Sequence, residues 1–329
     1  MLLKIFFIFT LVSLQLSAGL IHFDISPQKK NSDKVKIDIL DSVILDFDRI
    51  DSQKFFGISA LAYDKQSSIL YMLSDRSRLF AFKLVLKNDK IKTLTPLYGK
   101  RLRDKYGHKF FIKKSDSEGM TFVEENDHKS LLISFEHQVR VTEFDLTGNE
   151  IEKKEKSLED VKRDLRLKKL PKILQTKKLY KSANSMLESV TVTEKFGMVT
   201  TPEFPLKTTK FGYHGLYNQK GRICYVKKSN PYIAITELET LPDGSLLALG
   251  RDFDLIPHLN IDLMLIKIDL NDVKNGICKS EDILNVSTND GWALDNFEGL
   301  AHIKDNLFLM ISDDNNNPFQ KTILVLFSL

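Results

Sequence analysis

The chain has 329 residues, of which 42% are hydrophobic and 28% charged. This is the profile of an ordinary globular protein with a sizeable core, in one large repeat fold or two smaller domains. A net charge of +4 is small for this length, and no zinc finger, recognition helix or RNA-stacking motif occurs, so nucleic acid is not an expected partner.

Residues 1–18 read as a secretory signal. Lys4 supplies a short positive region, Phe6, Phe7, Ile8, Phe9, Leu11 and Val12 an apolar one, and Ser17-Ala18-Gly19 a small-residue cleavage site. The apolar run is shorter than the ~20 residues that cross a bilayer. The expectation is an exported protein, periplasmic or secreted, with no stable membrane span after cleavage. Residues 19–34 form a polar N-terminal segment, and residues 35–329 are expected to form a single domain.

Val35-Lys36-Ile37-Asp38-Ile39-Leu40 alternates as a strand does, and Val43-Ile44-Leu45 continues it. From Gly57 one pattern returns: a small or acidic residue, an apolar stretch, a turn, a second apolar stretch, then Ser/Thr and an acid. It appears at Gly57-Ile58 with Ser74-Asp75, and at Glu118-Gly119 with Ser134-Phe135-Glu136. It returns at Glu188-Ser189 with Thr201-Pro202-Glu203, at Glu237 with Gly250-Arg251-Asp252, and at Glu298-Gly299 with Ser312-Asp313-Asp314. Asp/Asn/Gly turns such as Lys87-Asn88-Asp89-Lys90 and Pro242-Asp243-Gly244 separate the stretches, as hairpins require. Two further strands follow most copies. Four strands per unit, repeated radially, predicts an all-β fold, a β-propeller of five blades, with six as the alternative if a degenerate unit hides in a long interval. The last unit lacks an outer strand, and the strand at 35–45 is expected to fill it and close the ring.

One insertion is helical. Ser157-Leu158-Glu159-Asp160 opens a short basic helix near 158–170, with Leu158, Val161 and Leu165 on one face, and Pro171 stops it. The basic run is read first as a solvated face and second as a docking patch for an anionic partner or lipid headgroup. Cys224 and Cys278 form either one disulfide or two buried thiols.

Strand direction carries the functional reading. The first strand of each unit begins where the second ends, so with the first strand innermost these positions gather at one mouth of the central channel. Clustered carboxylates raise one another's pKa or bind a cation, and oxygen-rich clusters suit Ca²⁺ or another divalent cation. The candidate metal ligands are Glu118, Glu188, Glu298, Asp313 and Asp314. Glu298, Asp313, Glu118 and Arg251 are the candidate catalytic groups, and Arg76, Arg251 and His137 the candidate contacts to an anionic substrate. Against this stands a structural role for any one copy, with the acid capping backbone N–H groups of a neighbouring unit. No nucleophile elbow, H-E-x-x-H, P-loop or organic-cofactor motif is present.

The segments from Gly57 to Asp64 with Ser74-Asp75, Ser117-Glu118-Gly119, Glu188 with Thr201-Pro202-Glu203-Phe204-Pro205-Leu206, 241–253, and Asp295-Asn296-Phe297-Glu298-Gly299-Leu300 with Ser312-Asp313-Asp314-Asn315 resemble the phytase-like propeller proteins, a family described by an esterase-like activity of phytase. The likeness covers nearly all of 57–329. It implies an exported β-propeller and hydrolysis of phosphoesters or carboxylesters, assisted by calcium. The chain departs from the family pattern at Gly250, where an acid is usual, and at Ser189, where a glycine is. Two readings follow. The first is an exported hydrolase of small anionic esters at an acidic, Ca²⁺-assisted channel mouth, and the second is a non-enzymatic propeller of the cell envelope that binds a ligand or protein.

Overall fold

A computed structural model describes residues 19–27, 34–110, 115–125, 128–152, 157–254 and 260–329. The secretory signal expected over 1–18 lies outside these residues.

The chain opens with β1 (Leu20–His22) and β2 (Asp38–Leu45), then a short hairpin, β3 (Arg49–Ile50) and β4 (Gln53–Lys54). Antiparallel units follow. The first is β5 (Ile58–Asp64), β6 (Ile69–Ser74), β7 (Arg78–Lys87) and β8 (Lys90–Arg101), and the second is β9 (Ser117–Glu125), β10 (His128–Phe135) and β11 (Arg140–Phe144). After α1 (Leu158–Leu167) and α2 (Lys172–Gln175) come β12 (Leu187–Thr193), β13 (Gly197–Pro202), β14 (Tyr213–Asn218) and β15 (Gly221–Lys227). The next unit is β16 (Ala234–Thr240), β17 (Leu246–Asp254), β18 (Asn260–Lys274) and β19 (Ile277–Ser287), and the last is β20 (Asn296–Lys304), β21 (Leu307–Asp313) and β22 (Ile323–Ser328).

Local chemistry explains the hairpins. Asn88 and Asp89 (φ 52° and 55°) join β7 to β8, and Asn275 with Gly276 (φ 53° and 74°) joins β18 to β19. Two successive positive φ values match the right-handed twist of flanking strands, and Asn, Asp and Gly adopt them at least cost. The innermost strands β5, β12 and β20 are buried on both faces, hence their runs of small and apolar residues in place of strict alternation.

Each innermost strand packs on the next, β5 on β9, β9 on β12, β12 on β16, β16 on β20, and β20 returns to β5. Apolar layers fill the spaces between units. Ala60, Tyr71 and Leu73 meet Met120, Ile133 and Phe135 between the first two, and Leu61 and Met72 meet Leu309, Ile311 and Leu324 between the first and last. Burying each such side chain contributes ~1.5–3 kcal/mol, so stability is spread around the ring. Trp292 is one of these core residues, packed with Leu247, Leu263 and Phe308. The fold is all-β and propeller-like.

β2 pairs antiparallel with β22, Ile44 opposite Ile323 and Ile39 opposite Phe327, which is the closure expected from the missing outer strand. β1 then adds to β2, Leu20 opposite Leu45, so part of the segment read as a polar leader is a strand. The units of β12–β15 and β16–β19 are joined into one eight-stranded sheet by a parallel bridge, Tyr225 opposite Ile277. Cys224 and Cys278, beside that bridge, form a disulfide.

Leu158, Val161 and Leu165 do share a face of α1, but that face is exposed, and only Leu167 is buried. Charge anchors the helix instead. Arg163 grips the buried Glu143 at 2.6 and 2.7 Å and Glu125 at 2.7 Å, and Arg166 also pairs with Glu125. No helix among the described residues is long and apolar enough to cross a membrane.

Candidate functional site

Every inner hairpin carries a β-bulge at the same level. The unpaired residue is Ser59 on β5, Glu188 on β12, Thr236 on β16 and Glu298 on β20, while on β9 Glu118 and Gly119 together face Ser134. A bulge re-aims the side chain it carries, and here it delivers Glu118, Glu188 and Glu298 to the mouth. Directly opposite, the second strands reach the mouth at Asp75, Glu136, Glu203, Arg251 and Asp313, whose partners at the start of the first strands are Gly57, Asp116, Met186, Ala234 and Asn296. Four acids and one arginine therefore occupy equivalent places.

This register moves two residues from where the repeat put them. The counterpart of Glu298 in the fourth unit is Thr236, not Glu237. Glu237 occupies the next position, held elsewhere by Ala60, Gly119, Ser189 and Gly299, where inner strands approach so closely that a Cβ on Gly119 would lie 2.6 Å from the Glu188 carbonyl oxygen. Glu237 is fully buried there, and Leu238 N donates to its Oε1 at 3.0 Å. Gly250 likewise aligns with Ser74 and Ser312, and Arg251 occupies the place that an acid holds in the other units.

The carboxylates are crowded. Burial first, then the charges of Glu188, Asp116, Glu298 and Glu136, push Glu118 well above the ordinary carboxylate range. Burial and the facing Glu203, Glu298 and Glu136 do the same to Glu188. Glu136 is raised to about 8, mainly by burial, with the Met186 N–H opposing the rise and the neighbouring Asp116 adding to it. Asp313 is raised by burial and Glu298, and Asp75 to about 6 by burial. Burial disfavours the charge on Arg251, yet Glu298, Glu203 and Glu188 outweigh it and hold the guanidinium protonated. Its Nη2 donates to Glu298 Oε1 at 2.8 Å, and Nη1 lies 3.6 Å from Glu203 Oε1. Asn296 Nδ2 donates to the same Glu298 oxygen at 2.6 Å.

The structure thus brings together Glu118, Glu188, Glu298, Asp313 and Arg251. Arg76 lies at the rim, half-exposed and 3.2 Å from Asp75. His137 faces Asp116, with Glu136 3.8 Å away. Asp314 is turned aside, accepting from Gly57 N (3.0 Å), Asn316 N (3.0 Å) and the Thr322 hydroxyl (3.2 Å), which ties the last unit to the first. Asp116 was not singled out in the sequence, though the Asp-Ser-Glu-Gly spacing places an acid two residues before Glu118.

Two donor sets suit a cation. Glu136, Glu188 and Glu203 offer one oxygen each within 4.8 Å of one another, and Asp116, Glu136 and His137 offer two oxygens and a ring nitrogen within the same distance. Oxygens bound at ~2.4 Å to one Ca²⁺ can be at most about 4.8 Å apart, so the all-carboxylate set fits that ion, the set with His137 suits a transition metal better, and Glu136 belongs to both. A family model described as "Phytase-like: Esterase-like activity of phytase" matches residues 53–316. The chain belongs to this phytase-like family. At the family level its function is hydrolase-like, and the acid and histidine groups of this phytase-like mouth are the clusters suited to it. No curated protein matches the chain. Among solved structures it is similar to a protein of unknown function from Bacteroides caccae (10% identity, TM-score 0.40, 78% of this chain and 71% of that one). It is similar also to the β-propeller domain of Myceliophteria thermophila Cps50 (Swd1) (11%, 0.38, 94% and 99%) and to the Dos1 propeller (9%, 0.33, 82% and 68%).

Proposed function

We propose that this chain is an exported, five-bladed propeller hydrolase whose channel mouth cleaves phosphoesters or carboxylesters with the help of a divalent cation, Ca²⁺ fitting best. The observation that carries the reading is the crowding of Glu136, Glu188 and Glu203 within 4.8 Å, with pKa values raised by burial and by one another. Groups that cannot all ionise are stabilised by a cation. A bound cation would polarise the ester oxygen and lower the pKa of bound water.

The chain's own groups supply the rest. Glu136, raised to about 8 while the cluster is without a cation, would give up its proton on ligating one. Arg251 and Asn296 fix the orientation of Glu298, and Arg76 at the rim offers a guanidinium to an arriving anion. Glu118, next to Glu188 and raised well above the carboxylate range, holds a proton that a leaving alkoxide can take. The Cys224–Cys278 disulfide supports an oxidising, extracytoplasmic setting.

A second reading, a binding propeller without turnover, is favoured by Arg251, whose charge is already spent on Glu203 and Glu298. Chromogenic phosphate and acetate esters, assayed with and without chelator, separate the two. The hydrolase reading expects cleavage that is abolished by Glu298→Ala combined with Asp313→Ala. No cleavage of either ester class, or cleavage untouched by that double variant, would sink it.

A further inference from the structure

The two ends of the ring differ. At the end away from the mouth, the hairpin turns are built from charged, Asn and Gly residues, and the exposed apolar side chains described there are aliphatic, Val85 and Val273 beside the turns and Leu158, Val161 and Leu165 on α1, with no exposed aromatic ring. Loops on the mouth side carry Tyr106 (72% exposed), Phe211 (71%), Tyr232 (65%) and Phe319 (91%). Phe211 and Tyr232 come from different loops, after β13 and after β15, yet stand edge to face with ring centroids 5.9 Å apart.

The charge around this pair is equally one-sided. The mouth-side segments 177–186, 204–212 and 227–233 contain seven lysines and no Asp or Glu. Lys178, Lys181, Lys207, Lys210 and Lys227 are exposed. These segments meet in space: Lys207 N donates to Leu179 O, Lys177 Nζ to His137 O at the mouth, and Lys228 N to Gly212 O. A basic rim bearing a projecting aromatic pair therefore borders the acidic mouth.

We propose that this rim docks the mouth face onto an anionic lipid surface. Lysines are attracted to the negative surface potential, and aromatic rings settle at the headgroup level, where apolar and polar surroundings meet. A purely ionic polymer would reward the lysines but leave Phe211 and the neighbouring rings in water. The inference does not depend on turnover in the mouth. Under the proposed function it would place lipid headgroup esters within reach.

The test is co-sedimentation of the full chain with vesicles of phosphatidylglycerol and phosphatidylcholine, against phosphatidylcholine alone. Binding to the anionic vesicles only, weakened by salt, is expected. Lys207→Ala with Lys210→Ala should weaken it about twenty-five-fold, each lysine near such a surface being worth about fivefold. Phe211→Ser with Tyr232→Ser should weaken it at least about tenfold, given the apolar area withdrawn from the interface. No binding to anionic vesicles overturns the proposal. Binding indifferent to the aromatic double variant, and displaced by soluble polyglutamate, overturns it in favour of an acidic polymer. All four residues are exposed, and unchanged melting temperatures would show that the fold is intact.

Discussion

The Arg251 guanidinium reaches Glu298 at 2.8 Å and Glu203 at 3.6 Å, a buried cation standing where the equivalent strands of the other units end in Asp or Glu. Removing one partner from a buried ion pair leaves uncompensated charge and costs ~3–5 kcal/mol. Arg251→Met is therefore expected to destabilise by about that much at neutral pH. The loss should shrink in mild acid, where the crowded carboxylates take up protons instead. Urea denaturation at the two pH values checks this.

The mouth makes stability depend on pH in a definite direction. Glu136 titrates at about 8 against an ordinary 4.5, and Asp75 at about 6 against 3.8. The folded chain keeps these protons where the unfolded chain has released them. Their stabilisation is complete below the unfolded values and is lost as pH rises through 8. In chelator, melting temperature should fall from about pH 5 to about pH 8, and Ca²⁺ should flatten that fall by replacing the protons. A rise with pH in chelator would contradict the account.

The Cys224–Cys278 bridge closes a separation of 54 residues between the outer strands of two units. Chain entropy assigns such a loop ~4 kcal/mol. Reduction, or Cys224→Ser with Cys278→Ser, is expected to lower the melting temperature without changing the ring of inner strands. Thermal unfolding with and without reductant measures it.

Gly119 lies where β9 meets β12. A methyl group there would sit 2.6 Å from both the Glu188 carbonyl oxygen and Ser189 Cα. Backbone cannot yield cheaply, so Gly119→Ala should cost ~1–3 kcal/mol and displace Glu188. Chemical denaturation together with Ca²⁺ titration would separate the two effects.

Hairpin turns, apolar stretches and the ring closure by β2 were legible because each is set by local chemistry: Asn/Asp/Gly at positive φ, apolar runs in buried strands, an outer place left unfilled. Glu118, Glu188 and Glu298 were legible because the same short pattern surrounds each. What failed was the register of the fourth unit. A bulge adds one residue to one strand only, so aligning repeats by their apolar runs can slip by one, and Glu237 was taken for the counterpart of Glu298 where Thr236 stands. Asp116 escaped because it precedes its strand, and the apolar rhythm carries no information there.

The most direct test is turnover of a chromogenic phosphate or acetate ester by the wild-type chain and by Glu188→Gln as Ca²⁺ is titrated into chelated protein. The account predicts saturable, Ca²⁺-dependent turnover in the wild type, and a requirement for at least about tenfold more Ca²⁺ in the variant, the smallest penalty expected for disturbing a metal site. Turnover that ignores both the chelator and the substitution would contradict it.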